Sequence, residues 1–356
     1  MKFNAPWAAR GPLFSPGVAA ALAAALLFGA GTPAAKWLLH DMRPWLLAGL
    51  FYLGSGIGLS AFRLLSGAAP VRLARNEYAS LAGAVAAGGV VAPVLLMFGL
   101  SAMPASGAAL LLNAEAVLTA VIAWAVFKEN IGWRIALGMA AIVTGALLLS
   151  WPGEARLAGA LPALAVLAAC LAWAIDNNLT RQVALADASW IAAVKGLVAG
   201  SINLALALSL GDRLPAWPAA LAAAAVGFIA YGLSLVLFVV GMRQLGAART
   251  TAYFSLAPFF GALLALAGGE ALTPRLVTAG LLMAAGIWLH LTERHEHTHR
   301  HAALEHQHAH RHDEHHRHPH DFPVDAALTH THSHRHEAQT HRHAHFPDAH
   351  HRDHEH

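Results

Sequence analysis

The chain has 356 residues, a mean hydropathy of +0.50 and only 12% charged residues, against about 25% in an ordinary soluble domain. Up to Thr292, 16 Lys and Arg face 9 Asp and Glu; from Glu293 onward 7 Arg face 11 acids, and 23 of the 25 His lie in that last segment. These figures exclude an ordinary soluble enzyme and describe a basic membrane domain followed by a polar tail.

Residues 1–16 are short, polar and basic, with Lys2 and Arg10. The first apolar run is Gly17 to Leu39. It is not read as a cleaved signal peptide, because further runs of spanning length follow it. The second run, Pro44 to Leu65, carries Gly54, Gly56 and Gly58, a small-residue face suited to close helix packing. The third, Ala79 to Leu100, is interrupted by Gly88, Gly89 and Pro93. The fourth, Ala105 to Phe127, has 23 residues and one charge, Glu115. At about 1.5 Å per residue it crosses a hydrocarbon core of about 30 Å. The polar turn Lys128 to Arg134 joins it to the fifth run, Ile135 to Trp151. The sixth to eighth are Leu157 to Leu179, Trp190 to Leu210 and Leu221 to Met242. A second hairpin from Leu245 to Leu291 supplies the ninth and tenth.

The fourth and fifth runs have an echo. At an offset of 141, Glu129 falls on Glu270 and Arg134 on Arg275; at 142, Gly138 falls on Gly280. Phe28 and Lys36 fall on Trp173 and Arg181 at 145. Matched acids and arginines at polar turns mark an internal duplication. The expected fold is an all-α membrane protein of ten transmembrane helices, built as two five-helix repeats, 17–151 and 157–292. An odd number of spans per repeat inverts the second relative to the first. Lys and Arg in the loops favour cytoplasmic termini, ten against four, which places the chain as a multi-pass protein of a bacterial-type inner membrane.

The fourth and ninth spans carry P-A-S-G-A-A-L-L-L-N-A-E-A-V-L-T-A with F-K-E (Pro104 to Glu129) and G-A-A-R-T-T-A-Y-F-S-L-A-P-F-F-G-A-L-L with G-G-E (Gly246 to Glu270). With the Gly-rich fifth and tenth spans, these resemble the EamA group of the drug/metabolite transporter superfamily over Val18 to Leu291. The resemblance implies a ten-helix secondary carrier of a small metabolite or drug-like solute, with export favoured. One departure is visible. The family often has Glu-Pro midway along spans four and nine; here Glu115 is followed by Ala116, and Pro258 lacks the Glu.

An ionisable group at the centre of a span costs about 2.5–3.5 kcal/mol on insertion scales, so each needs a reason. Glu115 lies deepest, with Asn113 two positions before it. It reads either as a cavity carboxylate that takes a proton or a cationic substrate group, which is favoured, or as a protonated structural residue. Asp176, Asn177 and Asn178 are consecutive near the end of span six; at 100° per residue they cannot face one direction. They read equally as a cavity lining and as C-terminal caps. Lys36 and Lys195 read first as snorkelling cations, with Lys195 alternatively neutralising Glu115 or Asp176. Pro33, Pro93 and Pro258 either free backbone carbonyls, as in carriers, or make ordinary kinks. The candidate substrate-binding set is Asn113, Glu115, Asp176, Asn177, Asn178 and Lys195. No phosphate-binding loop or Ser-His-Asp arrangement is present, so no enzyme is expected, no cofactor is required and no nucleic acid is bound. The expected partners are the lipid bilayer and a small-molecule substrate; a homodimer is left open. The single cysteine, Cys170, lies in an apolar run and excludes an intrachain disulfide.

The tail, 293–356, has too few apolar residues to form a core and is expected to be disordered. It alternates His with small or polar residues at His295, His297, His299 and His301, at His306, His308, His310 and His312, at His315, His316, His318 and His320, and at His330, His332, His334 and His336. Alternate residues share one side of an extended chain, so these imidazoles can chelate Zn, Ni, Co or Cu. Two other readings follow: a divalent-metal exporter that uses the tail as collector, and a non-transporting membrane sensor of metal or pH. With both termini cytoplasmic, a cysteine at Gly211 reacts with an impermeant thiol reagent added to intact cells and a cysteine at His306 does not. External labelling at His306 contradicts the topology.

Overall fold

The computed structural model describes residues 16–68, 71, 73–75, 77–127, 133–151, 157–180, 183, 187–245 and 247–291, and four strands within 296–344. Arg72, Lys128, Glu129, Arg156 and Arg181, together with residues 1–15, lie outside the described residues. The chain divides into two compact units, Met1–Glu293 and Arg294–His356.

The first unit is helical. It runs α1 (Pro16–Leu38), α2 (Pro44–Leu65), α3 (Glu77–Ala84), a π-helical segment (Val85–Val91), α4 (Ala92–Ser101), α5 (Ala105–Leu111), α6 (Ala114–Phe127), α7 (Trp133–Ser150) and α8 (Leu157–Thr180). It continues through α9 (Ala188–Ser209), α10 (Trp217–Gly227), a second π-helical segment (Phe228–Leu233), α11 (Ser234–Leu245), α12 (Ala247–Phe254), α13 (Ala257–Ala267) and α14 (Pro274–Leu291). Among the described residues, eight continuous or nearly continuous helices are long and apolar enough to cross a membrane. Ala257–Ala267 and Pro274–Leu289 are shorter apolar helices, where the sequence reading expects spans nine and ten. Exposed Trp37, Trp151 and Trp217 sit at helix ends on one side of the bundle, and exposed Tyr78, Trp124 and Trp133 at ends on the other. Amphipathic rings at both levels are the pattern of membrane–water interfaces.

Irregularities recur along the chain. The π-helical segments begin at Val85 and Phe228, an offset of 143. The gap between α5 and α6 follows Leu111 and that between α12 and α13 follows Phe254, again an offset of 143. The bonds at the two gaps match as well: Asn113 N–H donates to Leu110 O at 3.1 Å, and Leu256 N–H to Tyr253 O at 3.2 Å. Pro258 lies in the first turn of α13, where a missing N–H costs no intrahelical bond, whereas Pro93 follows the π-helical segment without a break inside Glu77–Ser101 and offers no N–H to the carbonyls before it. Pro33 lies inside α1. Packing pairs follow the same logic: α1 lies against α11 and α13, while α8 lies against α4 and α6.

The α2–α9 pair is the axis of this unit. A Cβ on Gly196 would meet Gly56 Cα at 2.6 Å, and one on Gly56 would meet Leu197 N at 2.4 Å, so the two backbones touch and neither position admits a side chain. Both ends are tied by charge. Arg43, the N-cap of α2, reaches Asp212 beyond α9 at 2.8 Å, and Arg63 in the last turn of α2 reaches Asp187, the N-cap of α9, at 2.9 Å. Asp187 also accepts from Ser189 N–H and Trp190 N–H. Burial pushes the Asp187 carboxyl up, but the hydrogen bonds from Ser189 and Arg63 outweigh it and hold it below the ordinary carboxylate value.

In the second unit, strands β1 (Glu296–His301) and β4 (Gln339–Ala344) pair antiparallel, as do β2 (Leu304–His310) and β3 (His330–His336). The register sets His297 opposite His343, His306 opposite His334 and His308 opposite His332.

Candidate functional site

The site forms where α6, α8 and α9 meet the first π-helical segment. Asp176, on α8, is buried; its Oδ1 accepts from Thr180 Oγ1 at 2.8 Å, and its Oδ2 accepts from Lys195 Nζ on α9. Lys195 therefore neutralises Asp176 and does not snorkel to a membrane face. The next residue, Asn177, donates through Nδ2 to Glu115 Oε1 at 2.8 Å and lies 3.4 Å from Thr119 Oγ1. Asn178 faces elsewhere: it is buried and donates to Ala174 O at 2.8 Å and Thr119 O at 3.3 Å, which ties α8 to α6. Three consecutive polar residues thus serve three directions. They are no helix cap, because α8 continues to Thr180.

Asn113 stands apart from this cluster. Its amide donates to Leu110 O at 2.9 Å and to Met283 Sδ on α14 at 3.7 Å. The break after Leu111 turns it away from Glu115. The carbonyl of Leu111 at that break takes the Cys170 thiol at 3.6 Å. Lys36 caps a helix end, donating to Leu100 O at 2.8 Å and Ser101 O at 3.2 Å, where the carbonyls lack intrahelical partners.

Sequence reasoning misses the wall of the site. Gly88 O, in the π-helical segment, accepts from Tyr52 OH at 2.7 Å and from Trp173 Nε1 at 3.0 Å. A Cβ on Gly88 would stand 1.8 Å from Asp176 Oδ2, so only glycine lets this backbone approach the carboxylate. Asn203 donates to Gly89 O at 3.1 Å. A π-helical turn leaves carbonyls free to accept such bonds and is frequent at functional sites. From Tyr52 a chain of rings continues outward: Tyr231 lies 5.7 Å from Tyr52 and 5.7 Å from Phe28, and Phe254 lies 5.3 Å from Phe28. The visible signal for the wall is the Gly88-Gly89 pair inside an apolar run.

Of the candidate metal ligands, His295, His312, His315, His316, His318 and His320 lie outside the described residues; the others lie on β1, β2 and β3.

Broken helices, a buried ion pair and an additional carboxylate inside an apolar bundle define a polytopic membrane protein with a polar site at the depth of its spans. A sequence model of the EamA-like transporter family matches residues 15–151 and again residues 160–292. The chain belongs to that family. It is 27% identical over 290 residues to an uncharacterized transporter of Methanothermobacter thermautotrophicus, covering 75% of this chain and 84% of that protein. A crystal structure with 18% sequence identity superposes with a TM-score of 0.59 over 76% of this chain and 95% of its own, a likeness of fold.

Removing one partner of a buried ion pair is costlier than removing both. Asp176→Asn is expected to destabilise the protein by about 3 kcal/mol, and Asp176→Asn with Lys195→Met to recover most of that loss. Thermal unfolding in detergent measures it; equal losses in the single and double variants contradict the pairing.

Proposed function

We propose that the chain is a secondary transporter of a small metabolite or drug-like solute, working outward from the cytoplasm, with ten spans arranged as two inverted five-helix repeats. The paired family matches, the common offset of 143 between the π-helical segments, and the same offset between the helix breaks support the repeat. The observation that carries the function is the charge balance of the site. Among the described residues, Asp176 has an ammonium partner in direct contact, whereas the side-chain hydrogen bond to Glu115 comes from the neutral amide of Asn177. An ionised carboxylate with neutral partners is costly at this depth. The site is therefore completed by one more positive charge, a proton or a cationic group of the substrate. Exchange of one for the other couples the solute to the proton gradient. The ring chain from Tyr52 to Phe254 suits an apolar part of the solute.

The tail is proposed as a cytoplasmic metal-binding regulator that takes Zn, Ni, Co or Cu. The His alternation and the register of β2 with β3 support this reading. With His neutral, its 7 Arg and 11 acids give a net charge of −4. Protonation near the reference pKa of about 6.5, or bound metal, moves that charge upward.

Glu115→Gln keeps size and hydrogen bonding and removes the titratable group. In proteoliposomes loaded with candidate solutes under an imposed proton gradient, it is expected to abolish gradient-driven flux while expression and melting temperature stay near wild type. Normal flux refutes the coupling role. Truncation after Thr292 is expected to preserve that flux and to remove its response to zinc or nickel. Loss of all flux from a folded truncation favours instead a metal exporter that uses the tail as collector.

A further inference from the structure

On the side of the bundle where α1 ends and α2 begins, a carboxylate from the second half of the chain holds a short helix of the first. Glu270 Oε1 accepts from Ala105 N–H at 2.6 Å, and Oε2 accepts from Ser106 N–H at 2.9 Å. These are the opening N–H groups of α5, which lack intrahelical acceptors. A bidentate, charge-assisted pair is among the stronger contacts available to them.

The carboxylate is aimed by its own helix end. After α13, Gly269 takes φ +102, and its N–H donates to Leu266 O at 3.0 Å while Glu270 N–H donates to Ala265 O at 3.2 Å. This is a Schellman stop, in which a left-handed glycine fixes the direction of the following residue. Glu270 therefore leaves α13 on a set course toward α5. The helix it holds is only Ala105–Leu111, cut from α6 by the break at Leu112 and Asn113. α6 carries Glu115. A tilt of α5 at that break can thus open or close the path to Glu115 while α6 stays in place. The partner helices α12 and α13 have an equivalent break. By contrast α2 and α9, tied at both ends and touching at Gly56 and Gly196, have no such freedom.

We infer that Glu270 is a gating residue: its bond to the start of α5 is the closed latch on this side, and its release opens the Glu115 site to that side. The inference rests on the carrier reading for its purpose, and its test reads opening directly. In a Cys170→Ala background, Thr119→Cys serves as reporter beside Asn177. An impermeant thiol reagent is added to oriented proteoliposomes from the side that bears the α1–α2 connection, and the labelling rate is followed by mass. Glu270→Gln keeps shape, but its single carbonyl oxygen is neutral and cannot bind both N–H groups as the carboxylate does. The labelling rate is expected to rise about tenfold, the factor equivalent to about 1.4 kcal/mol.

Ala105→Pro gives a second arm that leaves Glu270 in place. Proline is well tolerated at the first helical position and lacks the N–H that Glu270 takes. It too is expected to raise the rate. A lowered melting temperature in both variants with unchanged labelling makes Glu270 a structural cap and overturns the gate. Faster labelling without transport of any solute by the native chain defeats the carrier reading and leaves the latch standing. Transport by the native chain with unchanged labelling in both variants does the reverse.

Discussion

The cost of charge in a bilayer organises this protein. A buried ion in a low-dielectric medium survives only when geometry and hydrogen bonds repay its desolvation. Asp176 meets that condition through Lys195 and Thr180, and in doing so it joins α8 to α9 at the depth of the spans. Glu115 meets it less completely, through a hydrogen bond from the neutral amide of Asn177. That difference between two carboxylates on neighbouring helices is the ground on which Glu115 is proposed as the exchangeable charge.

The packing around the site divides into fixed and adjustable parts. α2 and α9 form a pair whose backbones touch through glycines and whose ends are tied by Arg43 with Asp212 and Arg63 with Asp187. Helices that approach so closely gain dispersion contact and backbone complementarity that lipid cannot supply. The adjustable parts are the interrupted helices. The gaps after Leu111 and Phe254, and the π-helical turns at Val85 and Phe228, place loosened backbone at matched positions in both halves. Irregular backbone inside a membrane protein is tolerated where protein or a water-filled cavity surrounds it. Here the break after Leu111 adjoins Glu115, and the π-helical turn at Val85 brings Gly88 against Asp176.

Much of the fold is legible in the sequence because hydropathy and length decide which stretches cross a bilayer, and the offsets of Glu129 to Glu270 and Arg134 to Arg275 carry the duplication. Glu115, Asp176 and Lys195 stand out for the same reason: few ionisable residues interrupt the apolar runs. Asn113 is grouped with Glu115 by spacing, but the helix break between them alters that spacing and hands its amide to Leu110 and Met283. Tyr52, Trp173 and Gly88 are not legible, since aromatic residues and glycine are common in spans and a π-helical turn leaves no mark in hydropathy. Glu270 is visible as a repeat marker, yet its partners are backbone N–H groups, which have no sequence signature.

The central claim is that two matched halves move around a fixed polar site, opening it to one side and then the other. Pulsed electron paramagnetic resonance on two spin-label pairs tests this most directly. One pair, at Ser101 and Leu272, spans the two halves on the side that holds Glu270; the other, at Trp124 and Met242, at the far ends of α6 and α11, spans them on the opposite side. Alternating access predicts that the two distance distributions shift in opposite senses between the resting protein and the protein under a proton gradient. Distances that stay fixed on both sides, or that lengthen together, contradict the account.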